Sequence, residues 1–152
     1  MRSTRRAPRP RLPLFTGQAL SAADYRAQAE RAMSEREIQR ALIAELRNPL
    51  ATHGAVLAWH CPNGWWLPGL DSETSARVWK TLQADGALPG ASDLIIGHNG
   101  STLLLELKSA TGKQSDAQEN FERDAAAVGL VYRTASSLTE ARSILRERGV
   151  LP

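Results

Sequence analysis

Residues 89–108 read PGASDLIIGHNGSTLLLELK, and this stretch decides the fold. Asn99-Gly100 is a strong two-residue hairpin signal, because the favoured tight turn needs positive φ at both central positions. On either side lie runs that read as strands, residues 93–98 and 101–108. With Asn99 and Gly100 as the loop, His98 faces Ser101 and paired residue numbers sum to 199. Asp93 then lies opposite Glu106, with Cβ atoms about 4.5–5.5 Å apart. Side chains alternate along a strand, so Leu103, Leu105 and Leu107 share the buried face. Glu106 and Lys108 share the other, and Lys108 is diagonal to Asp93.

Two carboxylates held this close repel each other, which a fold tolerates when something binds between them. A divalent cation is the natural occupant, and oxygen-only ligation suits magnesium or manganese. An ammonium at Lys108 can orient an attacking water or stabilise charge on a scissile phosphate. Glu-x-Lys alone also describes a solvated ion pair, so the cross-strand position of Asp93 carries the argument.

Working outward, residues 34–47 predict a helix, with Ser34 and Glu37 as a capping box and Asn48-Pro49 as its end. Ile38, Leu42 and Leu46 form its apolar stripe, spread over about 80° at 100° per residue. Glu35 falls at about 60°, inside that stripe, whereas Glu37 falls at about 260°. Glu37 has a capping role; a carboxylate within a core-facing stripe needs a partner. Glu35 is thus either a third metal ligand or a first-turn acid favoured by the helix dipole.

Residues 54–60 read as a buried strand, and a helix capped by Asp71 or Ser72 runs to about Ala84. Ser115 caps a helix to about Val128, with Gln118 as its capping-box partner. Gln118 is also in place to hydrogen-bond Lys108, a water or a phosphate, and Lys113 precedes it as a phosphate contact. Residues 130–134 predict a strand, and Ser137 and Glu140 open a last helix that ends before Gly149. Residues 21–33 can form a further helix. The order α-β-α-β-β-α-β-α describes an α/β domain with a mixed sheet flanked by helices.

The 152 residues are 42% hydrophobic and 23% charged, as expected of a globular domain over residues 21–152. No apolar run is long enough for a transmembrane helix, and we expect no membrane partner and a cytoplasmic location, in a bacterial or phage-infected cell. One cysteine, Cys61, excludes an intramolecular disulfide framework. The net charge is +3, and five arginines lie in the first thirteen residues, Arg2, Arg5, Arg6, Arg9 and Arg11. Without them the chain carries 14 basic against 16 acidic side chains, so its basic character belongs to this arm. Residues 1–20 are expected to be a disordered Arg/Pro-rich segment, either solubilising or, through Arg5, Arg6, Arg9 and Arg11, contacting phosphates. Pro13 interrupts the short apolar run there, which argues against a signal peptide.

Pro89-Gly90-Ala91-Ser92-Asp93, Glu106-Leu107-Lys108 and Gln118 together resemble the PD-(D/E)xK nuclease superfamily. Ser34-Glu35 with Ile38-Gln39, and Pro62-Asn63-Gly64, make the chain similar to its virus-type replication-repair nuclease (VRR-Nuc) branch. The resemblance spans residues 34–135 and implies a restriction-endonuclease-like fold. It also implies that Asp93 and Glu106 hold Mg2+ or Mn2+, that Lys108 is the catalytic lysine and that Gln118 supports it. The helix-one glutamate of the family maps onto Glu35. Ser92 stands where the family usually has proline, which alters the loop and removes no catalytic group. Stand-alone members resemble homodimeric endonucleases that cut four-way (Holliday) DNA junctions, as in DNA repair, leaving a 5′-phosphate.

Two other readings compete. One is a general or restriction-type endonuclease on linear duplex, and the other a non-catalytic DNA-binding protein using the Arg-rich arm. A nuclease centred on His98-Asn99 is disfavoured by its tight turn and by the distance in sequence of His53 and His60. Trp59 and Trp79 are expected in the core, and Trp65-Trp66 at a dimer contact or stacked on bases.

Overall fold

The computed structural model describes residues 21–23, 33–61, 71–109 and 111–152. The Arg-rich arm with Arg5, Arg6, Arg9 and Arg11, and the Trp65-Trp66 pair, lie outside these residues. The elements are α1 (Glu35–Leu46), β1 (Val56–His60), α2 (Ser72–Ala84), β2 (Leu94–His98), β3 (Ser101–Leu107), α3 (Asp116–Ala127), β4 (Val131–Ala135) and α4 (Leu138–Glu147). The described strands form one mixed sheet in the order β1-β2-β3-β4.

The hairpin register agrees with the sequence pattern: Leu94 pairs with Leu105 and His98 with Ser101. Asn99 at φ 45° and Gly100 at φ 73° supply the two left-handed residues of its turn. β4 returns parallel to β3, with Glu106 beside Thr134, because α3 carries the chain back across the sheet. Each helix starts as its capping residue dictates. Ser34 and Ser115 make reciprocal capping boxes with Glu37 and Gln118, and Asp71, not Ser72, caps α2.

The main core lies on one sheet face. Ile38, Leu42 and Leu46 of α1 and Ala141, Ile144 and Leu145 of α4 pack there against Leu94, Ile96, Leu103, Leu105 and Leu107. A smaller cluster on the opposite face joins Leu104, Tyr132 and Ala125, with Phe121 of α3 packed against it. Both faces of β3 are therefore covered, one by α1 and α4 and the other by α3. No helix among the described residues is long and apolar enough to cross a membrane.

Two expectations are corrected. β1 is an edge strand, not a buried one: Val56 and Ala58 pack on the main core, while Leu57 is 67% exposed. Trp59 and Trp79 are not core residues. Trp59 is exposed, Trp79 is half-buried, and α2 buries no residue at all. Their apolar character suggested burial, but the main core is filled by helices α1 and α4.

Candidate active site at the end of the β2–β3 hairpin

Asp93 ends the loop that enters β2, and its position is held from several sides. Its Oδ2 accepts the Leu107 N–H at 2.8 Å, which fixes it opposite the end of β3 as the register requires. Its carbonyl accepts the Cys61 N–H and the Nδ1–H of His60, each at 2.9 Å. Upstream, Gly90 lets the loop lie on the first turn of α3. At φ +76° it is left-handed, and a Cβ there would stand 2.2 Å from the Ala117 carbonyl oxygen. Ser92 is buried, and its hydroxyl donates to the Leu94 carbonyl at 3.1 Å, a tie that proline could not make.

Glu106 is 3% exposed, which for a carboxylate demands partners. Its Oε1 accepts from Lys108 Nζ at 2.9 Å and from Gln118 Nε2. Lys108 Nζ also donates to Gln118 Oε1 at 2.6 Å. The Gln118 Oε1 accepts the Ser115 N–H at 2.9 Å as well. The capping and lysine-contact readings of Gln118 are therefore compatible, because one amide makes both sets of hydrogen bonds. Lys108 is placed by its own N–H, which donates to the Ala135 carbonyl at 2.9 Å and extends the β3–β4 ladder.

Burial pushes the carboxyls of both Asp93 and Glu106 above the usual range. The Leu107 N–H offsets part of this at Asp93, and the Lys108 hydrogen bond offsets part at Glu106. Their mutual repulsion raises Glu106 further, and the charge of Glu35 raises Asp93. Across the sheet, the Tyr132 hydroxyl is pushed far above its ordinary value, first by burial and then by the Glu106 charge.

Glu35 stands at the same end of the sheet, although exposed, with Oε1 accepting the Ser109 N–H at 2.5 Å. It influences Asp93 electrostatically, yet among the described residues no three His, Cys, Asp or Glu side chains form a group that could hold a metal ion. The arrangement is a two-carboxylate site with a third acid at its edge. It fits a hard cation in kind, since the ligand atoms are oxygens and Glu106 Oε2 is buried without a hydrogen-bond partner. Magnesium commonly takes one or two carboxylates and completes its shell with water and phosphate oxygens.

Lys113 is exposed in the loop before α3 and touches none of these groups. His60 and Cys61 are neighbours of Asp93 that sequence reasoning missed. His53 and His60, distant in sequence from the hairpin, lie beside it in the fold. His60 pairs with Leu94 in the β1–β2 ladder, and the His98 ring bonds the His53 carbonyl. Only the antiparallel pairing of β1 with β2 brings them there, and nothing local in residues 53–60 encodes that pairing.

No family model matches the chain, and no curated protein matches it. Among solved structures, the chain is similar to a VRR_NUC domain protein at TM-score 0.57 and 18% identity, over 76% of this chain and 88% of that one. The protein thus has a VRR-Nuc-like, restriction-endonuclease-like fold.

Proposed function

We propose that this protein is a Mg2+- or Mn2+-dependent endodeoxyribonuclease that hydrolyses phosphodiester bonds of branched DNA, resolving four-way junctions as a homodimer in the cytoplasm. One observation carries the nuclease reading: a buried Glu106 carboxylate, with one oxygen unpartnered, beside Asp93 and bonded to Lys108. A purely structural buried acid would be expected to satisfy both oxygens. The VRR-Nuc-like fold supports the same reading.

Asp93 and Glu106 would hold the cation, with the charge of Glu35 acting on Asp93 from the edge of the site. A bound divalent ion supplies a low-pKa water and polarises the phosphate oxygens. The chain's own groups do the rest. Lys108 places its Nζ 2.9 Å from Glu106 Oε1, where it can orient the incoming water and stabilise negative charge developing on phosphorus. Gln118 accepts from Lys108 and donates to Glu106, so it holds the ammonium and carboxylate in one geometry. The 5′-phosphate product follows from attack on phosphorus with loss of the 3′-oxygen. A symmetric dimer would set two such sites on two strands of a junction, and Lys113 and the Arg-rich arm with Arg5, Arg6, Arg9 and Arg11 would add phosphate contacts.

The test is cleavage of a labelled four-way junction beside linear duplex of the same sequence, in Mg2+, Mn2+ or EDTA. Metal-dependent junction cleavage that falls at least about a thousandfold in Asp93→Ala is the expected result. Equal cleavage of the duplex would remove junction selectivity. Binding with no cleavage in any metal would overturn the enzyme in favour of a DNA-binding protein.

A further inference from the structure

A second polar surface adjoins the site. A groove of about 330 Å³ lies between α1 and β1, lined by Gln39, Arg40, Ile43, Ala44, Arg47 and His60. Its floor is apolar at Ile43 and Ala44, and every ionisable side chain in its lining is basic or imidazole.

The charge balance of α1 makes this groove unusual. Each acid of the helix is already engaged: Glu35 with the Ser109 N–H, Glu37 with Ser34, and Glu45 with Arg142 at 2.9 Å. Arg40 and Arg47, by contrast, are exposed and make no ion pair among the described residues, Arg40 acting on Glu37 through its charge alone. Favourable interaction with the helix dipole accounts for a cation at Arg47, the C-cap. It does not account for Arg40 in the middle of the helix, facing the same groove. Seven residues separate the two, or about 10 Å along the axis, so they are spaced to meet different phosphates of one strand rather than one shared anion.

The groove also connects to the acids. His60 lines it, and the His60 ring donates to the Asp93 carbonyl at 2.9 Å. A strand lying over Arg47 and Arg40 would therefore pass His60 on its way to Asp93 and Glu106. We propose that this groove is a backbone-phosphate cradle: Arg40 and Arg47 neutralise phosphates of the DNA strand flanking the scissile bond, with His60 as the link to the site. The inference rests on the nuclease reading for its substrate, but it concerns binding and not the bond-breaking step.

The experiment is equilibrium binding of the full chain to labelled junction and duplex in EDTA, over a range of salt concentrations. Arg40→Gln, Arg47→Gln, the double variant and Arg77→Gln are compared with wild type. Arg77 lies on α2 and pairs with Glu73, outside both sites. Each groove variant should weaken binding roughly five- to tenfold near ~0.1 M salt and lower the salt slope by about one, with about two for the double variant. Arg77→Gln should leave both unchanged. In Mg2+ the groove variants should raise KM while cleavage at saturating DNA persists. Unchanged affinity and slope in the double variant would overturn the cradle, as would a loss equally large in Arg77→Gln. If wild type binds DNA but cleaves none, the enzyme reading fails while the slopes still decide the cradle. If wild type binds no DNA, both fail.

Discussion

The two faces of β3 are buried to nearly the same degree and are built for opposite ends. On one face Leu105 and Leu107 are 0% and 1% exposed, packed against α1 and α4. On the other, Glu106 is 3% exposed and lies among Lys108, Gln118 and a second carboxylate. Apolar burial on the first face stabilises the fold by removing hydrocarbon from water. Burial on the second costs stability, since it disfavours the charged carboxylates and leaves Glu106 Oε2 without a partner. One strand thus carries a support and a strained polar site, separated only by side-chain alternation. The dry face holds the geometry that the polar face needs.

Exchanging a residue on each face should separate these roles. Glu106→Gln is expected to reduce metal-dependent cleavage by about a thousandfold, about 4 kcal/mol of transition-state stabilisation, with the far-UV spectrum and cooperative unfolding retained. Leu105→Ala should do the reverse. Its cavity should cost about 2–5 kcal/mol in urea unfolding, while the folded fraction keeps its turnover. If Leu105→Ala abolished turnover in fully folded protein, the separation of faces would be wrong.

The junction between the faces is sharpened by Gly90. Alanine there meets both a left-handed backbone and the Ala117 carbonyl, so the Asp93 loop must lift from α3. A loss of about 2–3 kcal/mol is expected by denaturation, accompanied by weaker Mn2+ binding in a calorimetric titration.

The smallest effect concerns protons. Asp93 and Glu106 have native pKa values above their ordinary 3.8 and 4.5, so the folded state holds protons that the unfolded chain has released. Their contribution to stability is greatest at low pH and is lost as pH rises from those ordinary values through the raised native ones. The metal-free protein should accordingly gain Tm from Asp93→Asn at pH 7 and little at pH 4. Saturating Mg2+ should stabilise wild type at pH 7 and not the variant. An Asp93→Asn protein less stable than wild type at pH 7 would show that the carboxylate is a structural anchor.

The hairpin was legible in the sequence because its information is local. Asn99-Gly100 fixes the turn, the turn fixes the register, and the period of two assigns every side chain of β3 to a face. The caps at Ser34, Ser115 and Ser137 were legible for the same reason, each being settled within one helical turn. Glu35 was half-legible. Its wheel position leads to the site, but its bond to Ser109 depends on where α1 lands on the sheet.

What lay beyond the sequence were the contacts set by chain segments that meet only in the fold. The exposure of Trp59 depends on β1 being an edge strand, and the place of His60 beside Asp93 depends on β1 pairing with β2. The basic groove needs α1 to cross beside β1. The sequence by itself determined the α/β order, the turn, and the register that sets Asp93 opposite Glu106. Tertiary structure alone decided how deeply Glu106 is buried, which face of the sheet each helix covers, and that one Gln118 amide serves both helix cap and lysine. The physical reason is range: torsional preference and side-chain alternation act over a few residues, whereas burial and desolvation are set by whatever distant segment the packed core brings alongside.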